Sequence, residues 1–379
     1  MKDLSECRVL IVDDVRSNVD VLVEALRSEC KLSVALNGEA ALNSIAKNPP
    51  DLVLLDIVMP GMDGYEVCRH IRSNPATLDL PVMFLSALED VKNKTQGFEA
   101  GGNDYLTKPV EVLEVKARVR SLLKAKAYSD AAKEKIASEL RIAKEIQLGI
   151  LPANITTPAQ KAGLDAHALL EPAREVGGDL YEILTNDHGH LVTVLGDVSG
   201  KGIPAALFMA VTMTLVRTLA RTATEPASLL RQVNDALATQ NPKSMFVTIL
   251  CTFYNPSTHE LTYASAGHPA PILIHENSAS FLPNKPGMVA GVFPGLTTQN
   301  QTITLNPGDA ITLYTDGVNE AFNADGDMFG DQRLKETLHQ ASLPQAEAVN
   351  QHLLQAVRHH AAEYPQSDDI AIFTLRRPQ

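Results

Sequence analysis

Cysteine is scarce in this chain, and Cys7, Cys30, Cys68 and Cys251 show no metal-ligand or redox spacing. They read as buried thiols in a reducing compartment rather than as a disulfide or zinc framework. Runs of Lys or Arg are missing, and the formal net charge of −12 argues against nucleic-acid binding. No apolar stretch approaches the roughly 20 residues needed to span a bilayer, and no signal peptide precedes the first strand-like run. The expectation is a cytoplasmic chain with neither a nucleic-acid nor a membrane partner. Its 379 residues leave room for two or three domains, each with its own core.

What is present is a series of short acidic motifs. They are Gly177-Gly178-Asp179, Gly196-Asp197-Val198-Ser199-Gly200-Lys201-Gly202, Tyr314-Thr315-Asp316-Gly317 and Ser367-Asp368-Asp369. Their aspartates adjoin apolar, strand-like runs such as Leu191–Leu195, Ala310–Tyr314 and, read backward, Asp369–Leu375. Converging strand ends gather carboxylates, which repel one another unless cations neutralise them. Oxygen ligands without neighbouring His or Cys suit Mg²⁺ or Mn²⁺ rather than zinc. Two such ions can clamp a phosphoryl group for in-line displacement, so these residues point to a metal-dependent phosphatase.

The first third of the chain carries different chemistry. Apolar runs at Arg8–Val12, Leu32–Leu36, Asp51–Leu55, Pro81–Leu85 and Asp104–Leu106 alternate with amphipathic segments. That alternation predicts βα units and a parallel, doubly wound sheet, whose ligand site lies at the carboxyl ends of the strands. There the sequence places Asp13 and Asp14, then Asp56, Ser86 and Lys108. The acidic pair suits Mg²⁺, Asp56 is free to attack phosphorus, and Ser86 and Lys108 can grip phosphoryl oxygens. Met59-Pro60-Gly61-Met62-Asp63-Gly64 supplies a tight turn beside the nucleophile.

Val12-Asp13-Asp14, Asp56 with its turn, Leu85-Ser86-Ala87 and Lys108-Pro109 resemble the receiver domain of bacterial two-component response regulators. The resemblance implies a flavodoxin-like fold with a five-stranded parallel sheet, phosphorylated at Asp56 by a sensor histidine kinase. It also implies that Tyr105 reorients with Ser86 on activation. The bland reading is another flavodoxin-like domain with acidic loops.

Pro109 suits the first turn of a helix, and no Gly or Pro follows until Gly149 and Pro152. Val112, Val115, Val119 and Leu122, then Ile136, Leu140, Ala143 and Ile150, keep a 3/4 spacing, with Lys126, Ser129, Lys133 and Gln147 at intervening seam positions. The expectation is a breakable coiled coil that dimerises the chain, against a single helix packed on its own domain. Beyond Pro152, strand runs at Phe246–Tyr254 and Glu260–Ala266 and helical patterns at Pro204–Ala220 and Pro344–His360 predict an α+β sandwich of two sheets flanked by helices. The domain plan is thus 1–124, a 125–152 helical linker, and 153–379.

Taken in order, the aspartate motifs, with Ala266-Gly267-His268-Pro269 and Phe329-Gly330, resemble the bacterial branch of the metal-dependent (type 2C) protein phosphatases that acts in sporulation and stress-response signalling. The resemblance covers about Ala143 to the end, including the junction Ala143 to Pro152. It implies that Asp197 bridges two Mn²⁺ or Mg²⁺ ions, with the carbonyl of Val198 as a further ligand. Asp316 and Asp368 complete one ion, Asp179 serves the other through water, and Asp369 is secondary. It further implies direct hydrolysis of phosphoserine or phosphothreonine, with a phosphorylated anti-sigma-factor antagonist as substrate. Two departures stand out. Ser199 replaces a histidine proposed as general acid in eukaryotic members, leaving the proton donor unassigned, and Glu182 replaces the usual second aspartate after Gly-Gly-Asp.

Other readings of the same residues are weaker. Gly196–Gly202 is one residue short of a phosphate-binding loop, with no Ser or Thr after Lys201. Gly-Gly-Asp continues with Leu180-Tyr181, which departs from the cyclic-dinucleotide cyclases. His268 reads as structural before catalytic, and Glu320 as either a salt-bridge partner or a support for the ions. The rival function is a catalytically silent phosphatase fold that sequesters a regulatory partner.

Overall fold

The computed structural model describes residues 3–86, 99–239, 241, 243–276, 278–284, 287–339 and 344–379. It contains two compact units, Met1–Ser138 and Glu139–Gln379, whose division falls between the sequence-based boundaries at 124 and 152.

In the first unit the apolar runs form β1 (Arg8–Val12), β2 (Lys31–Ala35), β3 (Leu52–Asp56), β4 (Val82–Ser86) and β5 (Asp104–Thr107). They pair in parallel in the order β2-β1-β3-β4-β5. Leu10, Val12, Val53, Leu55 and Phe84 face one side of this sheet, against Ala41, Ile45, Val67 and Ile71 of the helices Gly38–Lys47 and Gly64–Ser73. Val9, Ile11, Leu52, Leu54 and Met83 face the other side, against Val19, Leu22 and Leu26 of Arg16–Leu26 and against Val115, Val119 and Leu123. A sheet covered on both faces needs apolar residues on both, which is why β3 and β4 read as unbroken apolar runs.

The helix expected to start at Pro109 begins instead at Val112, and runs to Ile150. Its opening bond joins the Val115 N–H to the Glu111 carbonyl at 3.0 Å, so Pro109 stays in the preceding turn.

The second unit is built on two antiparallel sheets. One has the order β13-β10-β9-β8-β7, with β7 (Leu180–Thr185), β8 (Leu191–Val198), β9 (Val247–Tyr254), β10 (Glu260–Ala266) and β13 (Gln301–Thr304). The other has the order β12-β11-β14-β15-β6, with β6 (Asp165–Glu171), β11 (Ile272–His275), β12 (Ser278–Phe281), β14 (Ala310–Tyr314) and β15 (Ile370–Arg376). Leu195, Leu250, Tyr263, Leu313 and Phe373 fill the space between them. Outside the first sheet lie Met209, Met213 and Val216 of the helix Ile203–Leu219 and Leu230 and Val233 of Pro226–Thr239. Outside the second lie Leu334 and Leu338 of Gly330–His339 and Leu353 and Val357 of Ala346–Ala361. Helices therefore flank a two-sheet sandwich. No described helix is long and apolar enough to cross a membrane.

Candidate functional site

Parallel pairing brings the carboxyl ends of β1, β3, β4 and β5 to one edge of the first sheet. One oxygen each from Asp13, Asp14 and Asp56 lies within 4.8 Å of the others, a donor set that fits a hard divalent ion. The Lys108 ammonium sits 2.7 Å from Asp13 Oδ2 and 2.9 Å from Asp56 Oδ1. Asp13 is fixed from behind by the Val15 N–H at 2.8 Å and by the Asn18 amide, which donates at 3.1 and 3.2 Å. Burial pushes the Asp56 carboxyl up, opposed by its bonds to Lys108. Burial also disfavours the Lys108 charge, but Asp13 and Asp56 outweigh it and the lysine is raised overall.

Ser86, at the end of β4, is buried beside this set, and Lys108 donates its backbone N–H to the Ser86 carbonyl at 2.6 Å. Tyr105 is buried, its ring 6.0 Å from Phe84, which lies 5.3 Å from Tyr65. Gly64 passes so close to β3 that a Cβ there would lie 2.3 Å from the Asp56 carbonyl oxygen. The turn expected beside Asp56 therefore forms, with Gly61 at φ +80°. Ala87 lies outside the described residues.

In the second unit, antiparallel pairing does the equivalent work. Leu180 of β7 pairs with Gly196 of β8, so Asp179 and Asp197 share one end of the first sheet. Tyr314 of β14 pairs with Ile372 of β15, so Asp316, Asp368 and Asp369 share one end of the second. Asp179 is almost wholly buried; its Oδ2 accepts the Thr315 hydroxyl at 2.8 Å, while Oδ1 has no hydrogen-bond partner. Burial, then the charges of Asp197 and Asp369, drive the Asp179 carboxyl well up. Asp197 is raised to about 7 by burial and by Asp316, Asp368 and Asp369, and Asp316 to about 6 by burial, Glu320 and Asp368. Buried and half-buried carboxylates whose charges raise their neighbours, one with an orphaned oxygen, form a donor set short of positive charge, and it fits hard divalent ions.

The individual aspartates differ in what they already hold. Asp369 accepts the Gly178 N–H at 2.6 Å and the Ala173 N–H at 2.8 Å, which clamps the Gly-Gly-Asp turn. Asp368 is partly exposed, and its Oδ2 lies 2.9 Å from the Lys201 ammonium. Among the described residues, Asp13, Asp14 and Asp56 are the one set of three whose oxygens all come within 4.8 Å of one another, so this second set does not close to that spacing as a trio. Glu182, itself buried, pairs with the half-exposed Arg217 at 2.6 Å. His268 is buried and neutral, its ring driven to about 3 by burial, with Nδ1 2.8 Å from the Thr248 hydroxyl. Thr248 pairs with Asp197 in the sheet, so His268 braces the strand beside that aspartate.

Residues 187–378, just over half of the chain, match the family model of Stage II sporulation protein E, SpoIIE. The chain belongs to the SpoIIE family. Residues 9–120 match the response regulator receiver domain, so a receiver precedes a SpoIIE-type PP2C phosphatase domain. Response regulator PleD of Caulobacter vibrioides is 41% identical over 136 residues, covering 36% of this chain and 30% of that protein. A probable cyclic di-GMP phosphodiesterase of Vibrio cholerae is 43% identical over 130 residues, covering 34% and 30%. The chain thus spans under a third of the length of these curated relatives. The SiaA-PP2C domain of Pseudomonas aeruginosa superposes with a TM-score of 0.57 at 22% identity, over 65% of this chain and 98% of that one, which shows a shared fold.

Sequence reasoning missed Asn18, Thr315, Gln147 and Lys201 as parts of the two sites. Gln147, placed on a coiled-coil seam by its spacing, is buried: its amide donates to the Gly177 carbonyl at 2.6 Å and accepts the Gly177 N–H at 3.1 Å. The signal that could have found it is chemical, since an amide carries both a donor and an acceptor for one backbone unit.

Proposed function

We propose that this SpoIIE-family chain is a metal-dependent protein serine/threonine phosphatase governed by phosphorylation of Asp56. The observation that carries the reading is the orphaned, buried Oδ1 of Asp179 beside the raised carboxyls of Asp197 and Asp316. A fold with no use for cations would not keep such a set unpaired.

Asp197, Asp179, Asp316 and Asp368, with the Val198 carbonyl as a further ligand, would hold two Mn²⁺ or Mg²⁺ ions. When bound, the ions supply charge stabilisation at the phosphoryl group and activation of water. The chain's own residues set the geometry. Thr315 fixes the rotamer of Asp179, Asp369 holds the turn that presents it, and His268 with Thr248 keeps β9 against Asp197. In the receiver, Asp13, Asp14 and Asp56 would hold Mg²⁺, and Lys108 would offset the negative charge of the phosphoryl group that the Asp56 carboxylate takes from a sensor histidine kinase.

The long helix offers the path between signal and site. Gln147 grips Gly177, two residues before Asp179, and Ile150 accepts from Arg217 at 2.8 Å. Dimerisation through this helix follows from its 3/4 apolar spacing, and a phosphorylated anti-sigma-factor antagonist as substrate from the family resemblance; both complete the proposal.

The test is hydrolysis of a generic phosphate ester with Mn²⁺, with and without a small phosphodonor, in the native protein and in Asp56→Ala. Metal-dependent turnover that the donor alters only when Asp56 is present is the expected result. Intact Mn²⁺ binding with no turnover, on the ester or on phosphoproteins, would instead favour the silent sequestering module.

A further inference from the structure

We propose that Lys201 is the protein cation that receives the substrate phosphoryl group, a role that rests on the phosphatase reading above. Gly200 at φ +85° and Gly202 at φ +75° flank it, left-handed backbone that glycine adopts without strain. The loop after Asp197 therefore folds back, and the lysine reaches the segment before β15. Its ammonium donates to the Ser367 carbonyl and lies 2.9 Å from Asp368 Oδ2. Among the described ion pairs of the second unit, this is the one that joins a cation to an aspartate of its proposed metal set.

Charge balance requires such a group. The carboxylates of Asp179, Asp197, Asp316 and Asp368 match two divalent ions. A phosphomonoester dianion added to that assembly leaves it net negative. Two other cations of this unit are committed elsewhere: Arg358 to both oxygens of Glu171 at 2.6 and 2.7 Å, and Arg217 to Glu182 at 2.6 Å. Lys201 remains 38% exposed, so an incoming oxyanion can reach it. An ammonium on a flexible stem can exchange Asp368 for a phosphoryl oxygen without moving the backbone.

The experiment is calorimetry on the full chain. Mn²⁺ is titrated into the native protein, Lys201→Met and Lys201→Arg, and inorganic phosphate is then titrated into each Mn²⁺-saturated protein. Lys201→Met should bind Mn²⁺ at least as tightly as the native protein, because a competing cation has left Asp368. Its phosphate affinity should fall at least tenfold, and Lys201→Arg should recover part of the loss. Native phosphate affinity in Lys201→Met, or loss of its Mn²⁺ binding, overturns the assignment. If the native protein binds neither Mn²⁺ nor phosphate, the phosphatase reading falls too; if it binds both and turns over ester while Lys201→Met matches it, only the role of Lys201 falls.

Discussion

Asp197 illustrates how a single carboxyl sets opposing demands on stability and function. Its folded-state value of about 7 lies above its ordinary 3.8, so the folded protein holds this proton more tightly than the unfolded chain does. The stabilisation from that proton is complete below about pH 4 and is lost as pH rises through about 7. Metal-free Asp197→Asn, which cannot ionise, should therefore melt several degrees above the native protein at pH 8, at about 2–4 °C for each kcal/mol. The two should converge below pH 4. Added Mn²⁺ should stabilise the native protein more than the variant, which keeps only the acidic triad of the receiver. Thermal melts at the two pH values check this; equal melting at pH 8 would remove the claim that burial and like charge penalise this carboxylate.

Among the elements, the helix Val112–Ile150 shows where pattern reading stops. The 3/4 spacing gave its course to within a few residues, since apolar periodicity depends only on local geometry. It did not give the direction of Gln147, because a polar residue on a seam and a polar residue pinned to a buried backbone look alike in sequence. Gln147→Ala strands the Gly177 N–H and carbonyl, a cost of about 1–3 kcal/mol. We expect the variant to bind Mn²⁺ at least tenfold more weakly while Asp56 takes up phosphate from a small donor at the native rate. Unchanged Mn²⁺ affinity would mean that this helix end holds the fold without informing the site.

For the whole molecule, the question is self-association. Ile136 is 58% exposed, Ile142 53% and Ile146 62%, a density of apolar side chains on one helix that water does not favour. Sedimentation of the native chain should show a dimer, and Ile136→Asp should weaken it at least tenfold. A native chain that sediments as a monomer at all accessible concentrations would leave the helix as a simple linker.

Much of this protein is determined by sequence alone. The parallel sheet, the two-sheet sandwich, Asp56 with Lys108, and the ordered aspartates could all be read because each depends on local alternation or on motifs contiguous in the chain. The partners that complete the sites could not. Asp369 reaching Gly178, Thr315 reaching Asp179, and Lys201 reaching Asp368 join residues 191, 136 and, through Ser367, 166 positions apart. Such pairs exist only once antiparallel strands have brought their ends together. Chain spacing carries no information about which side chain meets which across two sheets. Tertiary structure decided which aspartates are engaged by backbone donors, which is left with an unpartnered oxygen, and which cation stands beside them.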